Sequence, residues 1–264
     1  YYMGFSGGQV RWATHDNAGN NNEKYSGTGL ANGQWHHAVG TFDSTNNRKR
    51  LYIDGVAYGG DTTWNYDIGY PASSRFHLGT TQGSGGWFNG DLNHVAVWSR
   101  ELTSSEVSSI YNNGPTDALV YPWGTSPGGE ISGTVNGVAN VSGTVNGVAN
   151  VSGTVNGVAN VSGSLSVQAV STLTNGLMGW WALDEQTGPT CYDSTSNDLD
   201  GTGNNVSYGS TGVVNSCYTF NGSSSYVTFG AVAQPTTAIT ISAWIRLTGH
   251  PSEEKWIIHN EQYS

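Results

Sequence analysis

A decapeptide repeat occupies the middle of this 264-residue chain, and its position constrains what can fold on either side. Residues 131–140 read ISGTVNGVAN, residues 141–150 and 151–160 both read VSGTVNGVAN, and a fourth copy begins at Val161 and decays into VSGSLSVQAV. The decads contain neither proline nor a charged residue. The stretch before them reads as the end of a domain, and the stretch after them reads as the beginning of one. The chain therefore divides into residues 1–118, a connector at 119–174 with its decads at 131–163, and residues 175–264. Each decad carries Val-Asn-Gly-Val, a strong hairpin signal, so a meander of short strands with Asn-Gly turns is one expectation. A stretched strand of roughly 110 Å for the decads is a second, and a disordered linker is a third.

The flanks have the composition of a turn-rich β protein. Charged residues are 11% of the chain, while Gly (38), Trp (10) and Tyr (14) are abundant. A net charge of −10 argues against nucleic acid, which needs clustered cations; the one basic run, Arg48-Lys49-Arg50, is too short to reverse it. It suits carbohydrate or calcium better. There is no apolar run of membrane-spanning length. No signal peptide or initiator Met is seen, and both ends fall in strand-like patterns, so the chain is expected to be a slice of something longer. Cys191 and Cys217 are the only thiols and are expected to pair, closing a loop worth roughly 3 kcal/mol and implying an extracellular setting; two buried free thiols are the alternative.

Period-two alternation places strands at Met3/Phe5 and Val10/Trp12 with a Gly7-Gly8 turn, at 34–42, at 50–53 and after the Asp54-Gly55 turn, at 76–79 and at 92–98. In the last of these, Leu92, His94, Ala96 and Trp98 share one face, with Val95 and Val97 on the other. Thr103-Ser-Ser-Glu106 is a capping box that opens a short helix, which Gly114-Pro115 should stop.

Trp35-His-His-Ala-Val39, Leu51-Tyr-Ile-Asp-Gly55, Phe88-Asn-Gly-Asp-Leu92, Val95-Ala-Val-Trp98 and the capping box, in this order, resemble the second half of a laminin-G-like (concanavalin-A-like) jelly roll. Gly179-Trp-Trp-Ala-Leu-Asp-Glu185, Asp193-Ser194, Asn197–Gly201, Phe220-Asn-Gly222 and Ile239-Thr-Ile-Ser-Ala-Trp-Ile245 resemble the first half. The resemblance implies an all-β sandwich with one short helix, made from two segments in permuted order. Lys255–Ser264 followed by Tyr1–Phe5 reads as one hairpin. The chain is then one period of a tandem array, or a permuted chain whose halves complete each other within or between molecules.

The loop Asp193–Asp200 (DSTSNDLD) is rich in hard oxygen ligands but lacks EF-hand spacing. The resemblance implies a structural calcium here, with Asp184, Asp193, Asn197, Asp198, Asp200 and Asp91 as candidate ligands. Asn140, Asn150, Asn160, Asn205 and Asn221 each begin an N-x-[ST] glycosylation triplet, and Asn221 sits in a Phe-Asn-Gly turn with a structural reason of its own. Trp64, Tyr66, Tyr70 and Trp87 lie in Gly/Asp-rich loops, where they could stack on sugar rings or belong to the rim of the core. His36-His37 point to opposite faces of a strand and suit no shared ion. No nucleophile–base or glycosidase carboxylate pattern is present. The expectation is a non-enzymatic extracellular repeat unit of a fibre or adhesin stalk, partnered by copies of itself; the alternative is a carbohydrate-binding module, free or appended to an enzyme.

Overall fold

A computed structural model describes residues 1–64, 66–70, 75–81, 85–119, 140–141, 160–161, 171–230, 232, 234–247, 249 and 254–260, with side chains left out at 113–119, 140–141, 160–161 and 171–172. The first segment supplies strands β1 (Tyr2–Ser6), β2 (Gln9–His15), β3 (Asn21–Tyr25), β4 (Trp35–Asp43), β5 (Arg48–Ile53), β6 (Val56–Ala57), β7 (His77–Leu78) and β8 (Asn89–Trp98), then helix α1 (Ser104–Leu119). The connector contributes β9 (Asn140–Val141), β10 (Asn160–Val161) and the single turn α2 (Ser171–Thr174). The last segment supplies β11 (Leu177–Trp181), β12 (Thr190–Cys191), β13 (Gly201–Asn204), β14 (Ser207–Thr211), β15 (Ser216–Asn221), β16 (Tyr226–Phe229), β17 (Ala238–Arg246) and β18 (Lys255–His259).

These strands form an all-β sandwich of two antiparallel sheets. Sheet A runs β12-β13-β16-β7-β18-β1-β2-β3; sheet B runs β14-β15-β8-β17-β4-β5-β6, with β11 also paired to β8. The two segments interleave in both sheets. β17 lies between β8 and β4, and β18 lies between β7 and β1, each flanked by strands of the other segment. The β18–β1 register continues to Asn260 and Tyr1, where the Asn260 N–H donates to the Tyr1 carbonyl at 3.0 Å. The strand pairing expected of that hairpin is thus present within one chain, and residues 261–264 lie outside the described residues.

The alternation that identified the strands also builds the core. Met3, Phe5, Val10, Trp12, Phe42, Leu51 and Ile53 face inward and meet Ile239, Ile241, Ile245, Ile257 and Ile258 from the other segment. Gly7 and Gly8 turn β1 into β2 with φ of 58° and 83°, a left-handed pair that costs glycine little. On the far side of sheet B, Val39, Tyr52, Ala96, Trp98 and Trp180 pack under Leu102, Val107 and Ile110 of the helix region and Leu173 of α2. The capping box forms as expected: the Thr103 N–H donates to Glu106 Oε2 at 2.8 Å, and the Glu106 N–H to Thr103 Oγ1 at 3.3 Å.

Three expectations are corrected. In β8, Leu92 parts from His94, Ala96 and Trp98 and faces the core with Val95 and Val97. A bulge opposite Ser242–Trp244, with His94 left-handed at φ 46°, adds one residue and inverts the alternation. The helix does not stop at Gly114-Pro115 but runs to Leu119. The β9–β10 pair is parallel, joining Asn140 to Asn160 and Val141 to Val161, two decads apart. An Asn-Gly meander would pair adjacent decads antiparallel instead. The other decad residues, Asn150 among them, lie outside the described residues.

Candidate functional site

The Asp193–Asp200 loop is organised by one carboxylate. Asp193 Oδ1 accepts the N–H groups of Trp180 and Thr195, each at 3.0 Å, and Oδ2 accepts the Thr195 hydroxyl at 2.7 Å and the Leu199 N–H at 3.0 Å. Around it, Asp200 Oδ1 accepts the Asp193 N–H at 2.8 Å, and Asn197 donates through Nδ2 to the Met178 carbonyl at 2.9 Å. Asp198 is exposed at a left-handed corner. Asp184 accepts from Asn215 Nδ2 at 2.9 Å. Asp91 belongs to another neighbourhood: it pairs with Arg246 Nε at 2.8 Å and accepts the Thr219 hydroxyl at 2.5 Å. Among the described residues no group of three or more His, Cys, Asp or Glu is placed to hold a metal ion. The six residues therefore do not fit the calcium that the resemblance implies. Both oxygens of Asp193, and one oxygen each of Asp184 and Asp200, already accept N–H or O–H donors, which would have to be displaced.

The expected Cys191–Cys217 bridge is not formed; both are buried free thiols. Strand parity is the reason. Cys191 lies in the core between the sheets together with Tyr218, whereas Cys217 precedes Tyr218 on β15 and so points to the opposite face. Its Sγ lies 3.5 Å from the Thr211 carbonyl. Burial, with the nearby Asp91 charge, pushes the Cys217 thiol up to about 12, and burial, with Glu185 next, raises Cys191 well above the usual thiol range. Neither is a thiolate at neutral pH.

The candidate sugar-stacking residues separate. Tyr70 donates its hydroxyl to the Pro235 carbonyl at 2.8 Å and meets Tyr1 edge-on, as part of the core rim. Trp87 leans on Tyr226 at 5.9 Å. Trp64 packs against the core and carries Tyr66 at 5.2 Å, with Tyr66 51% exposed. Only this last pair offers an open ring. Of the acceptor triplets, Asn221 is committed: its Oδ1 accepts the N–H groups of Ser223, Ser224 and Ser225. Asn205 is exposed in a left-handed turn.

Two groups of polar residues escaped the sequence reading. Lys49 is fully buried: its Nζ donates to Thr14 Oγ1 at 3.0 Å and to the Asn22 carbonyl, and lies 5.3 Å from the Trp12 ring centroid. Arg48-Lys49-Arg50 looked like a surface cluster, but period two puts Lys49 with Leu51 and Ile53 on the inner face of β5, and that signal could have found it. Burial drives its ammonium well below the usual lysine range. The folded state therefore binds this proton less tightly than the unfolded state does, and this costs stability below pH ~10. Lys49→Met is accordingly expected to leave stability within about 1 kcal/mol of the parent or raise it, read from the urea midpoint. A loss above about 3 kcal/mol would assign the lysine a net stabilising role.

The second group covers the outer face of sheet A. Trp256 and Tyr2 meet edge-on at 4.4 Å, and the Arg11 guanidinium lies 4.7 Å over the Tyr2 ring while pairing with Glu23 at 2.7 Å and with Glu254. His15, His77 and His259 adjoin it. On sheet B, His37 Nε2 lies 2.8 Å from Ser242 Oγ, which has the look of a base and a nucleophile. Both are buried, and Asp54 binds the His37 backbone N–H and the His36 ring rather than His37 Nδ1. No substrate could approach this pair as it stands.

Residues 1–108 match the family model Laminin_G_3, described as the concanavalin A-like lectin/glucanases superfamily. The match falls in the first segment, and the two antiparallel sheets which that segment builds with residues 175–264 are consistent with a concanavalin A-like fold. No curated protein and no solved structure matches the chain.

Proposed function

We propose that this chain is a non-enzymatic repeat unit of an extracellular fibre or adhesin stalk, one laminin-G-like sandwich per period, joined to neighbouring copies through the decad connector. The observation that carries the reading is where the connector attaches. α1 packs beside α2; the Trp98 indole N–H donates to the Leu173 carbonyl at 2.6 Å, and Arg100 Nε to the Asn175 carbonyl at 2.7 Å. The connector thus leaves and enters the sandwich at one pole, while Tyr1 and Asn260 meet inside sheet A. A sandwich with both connector ends at one pole can be strung with others without disturbing its sheets. The native polypeptide should run far above 27.9 kDa on a denaturing gel, with an axial repeat by imaging. A homogeneous native species of that mass would overturn the array.

A second reading, a carbohydrate-binding module, draws on the Trp64–Tyr66 pair. An aromatic ring open to solvent beside a second ring is a surface on which a sugar can stack. Binding on a glycan array that Tyr66→Ala abolishes would favour it.

A further inference from the structure

β18, from residues 175–264, lies in sheet A between β7 and β1, both from the other segment. On the face away from the core, three histidines from both segments gather at this junction. His259 on β18 stands opposite His77 on β7 and opposite Tyr2 on β1. The Tyr2 ring is stacked on His259 at 6.2 Å and lies 5.3 Å from His15 of β2. Trp256 lies 5.2 Å from His259. His259 is fully buried, His77 is 5% exposed, and neither ring nitrogen of His77 has a hydrogen-bond partner. Among the described residues, the charged side chains near the cluster are Arg11, Glu23, Glu254, Lys255, Lys49 and Arg75. The two carboxylates are already held by Arg11, and Glu23 also accepts the Tyr2 hydroxyl at 3.1 Å. Glu23 favours a protonated His15, Lys49 and Arg11 oppose it, and Arg75 opposes protonation of His77.

We infer that the His15–His77–His259 cluster makes the junction between the two segments acid-labile, so that protonation releases β18 from β7 and β1 before the β4–β17 pairing of sheet B opens. Burial holds all three imidazoles well below their ordinary range, reinforced at His15 by Lys49 and Arg11 and at His77 by Arg75, which leaves His77 at about 4. Once the strand leaves, the same rings titrate near the ordinary value of ~6.5. The open state therefore takes up protons that the closed state refuses. The junction has its full stability above pH ~6.5, and loses it progressively as pH falls toward the folded-state values.

Hydrogen exchange of the full chain, read by mass spectrometry and corrected for the intrinsic pH dependence of exchange, tests this. Between pH 7 and pH 5 the amides of β18 and β1 should lose protection by a hundredfold or more, since each refused proton is worth about tenfold per pH unit. Those of β4 and β17, where burial holds the single His37 down at about 3 beside Ser242, should lose the share of one histidine against three. In His77→Gln and in His259→Gln, made separately, the pH response of β18 should shrink by at least tenfold. Equal loss of protection in β18 and β17 would overturn the inference, as would an unchanged pH response in the His77→Gln protein. If His259→Gln fails to fold, the His77→Gln protein and the parent comparison still decide it.

Discussion

Gly40→Val is expected to destabilise the sandwich by about 3 kcal/mol or more, although glycine in a central strand is usually the weaker choice. Gly40 lies in β4 of sheet B, and Trp12 of β2 crosses from sheet A to rest on it. A Cβ at residue 40 would stand 2.5 Å from Trp12 Cδ2 and 2.7 Å from Cγ. The indole cannot yield: it is fully buried, its N–H donates to the Thr41 carbonyl at 3.1 Å, and Lys49 covers its ring. Trp12→Leu alone should cost about 3 kcal/mol through the cavity and the unpaired carbonyl. The double variant should fall short of the sum of the two, because removing the indole removes the clash. Urea midpoints of the four proteins read this directly. Strict additivity would mean that the two residues do not meet.

Asp193→Ala should cost about 3–5 kcal/mol, since it strands three backbone N–H groups and a hydroxyl in a site that is 9% exposed. The Trp180 N–H is among them, so the damage should pass from the loop into β11 and its pairing with β8. A calcium chelator, by contrast, should leave the melting temperature of the parent unchanged. A fall of several degrees on chelation, restored by calcium, would return these oxygens to a metal. The two interventions separate a carboxylate that binds backbone from one that binds an ion.

The elements that could be read from the sequence are those whose pattern is local. Val10/Trp12, Leu51/Ile53 and Ile239/Ile241 alternate as half-buried strands must, and Thr103 with Glu106 caps a helix in isolation as it does in the fold. The features that escaped depend on parity or on distant partners. A single extra residue at His94 turns Leu92 away from Ala96. The pairing of Cys191 with Cys217 failed because neighbours on β15 face opposite sides, and the phase of that strand is set by β8 rather than by its own residues. The Asp-rich loop reads as a cation site because composition shows oxygens; that Asp193 turns them toward N–H donors of β11 and of its own loop emerges only from the fold. The histidines of sheet A lie at residues 15, 77 and 259, too far apart in the chain for any local pattern to gather them. The permuted order was legible because whole motifs, not single contacts, had changed places.

Residues 1–118 and 175–264 form one sandwich in which neither segment is complete. β17 and β18 each have both edges occupied by strands of the other segment, so either segment alone would expose several unpaired edges. Co-expression of the two segments as separate, differently tagged polypeptides without the connector is the most direct test. A shared sandwich predicts an equimolar complex that survives purification and melts in a single transition, with each segment insoluble or unfolded when expressed alone. Two segments that fold independently and do not associate would contradict it.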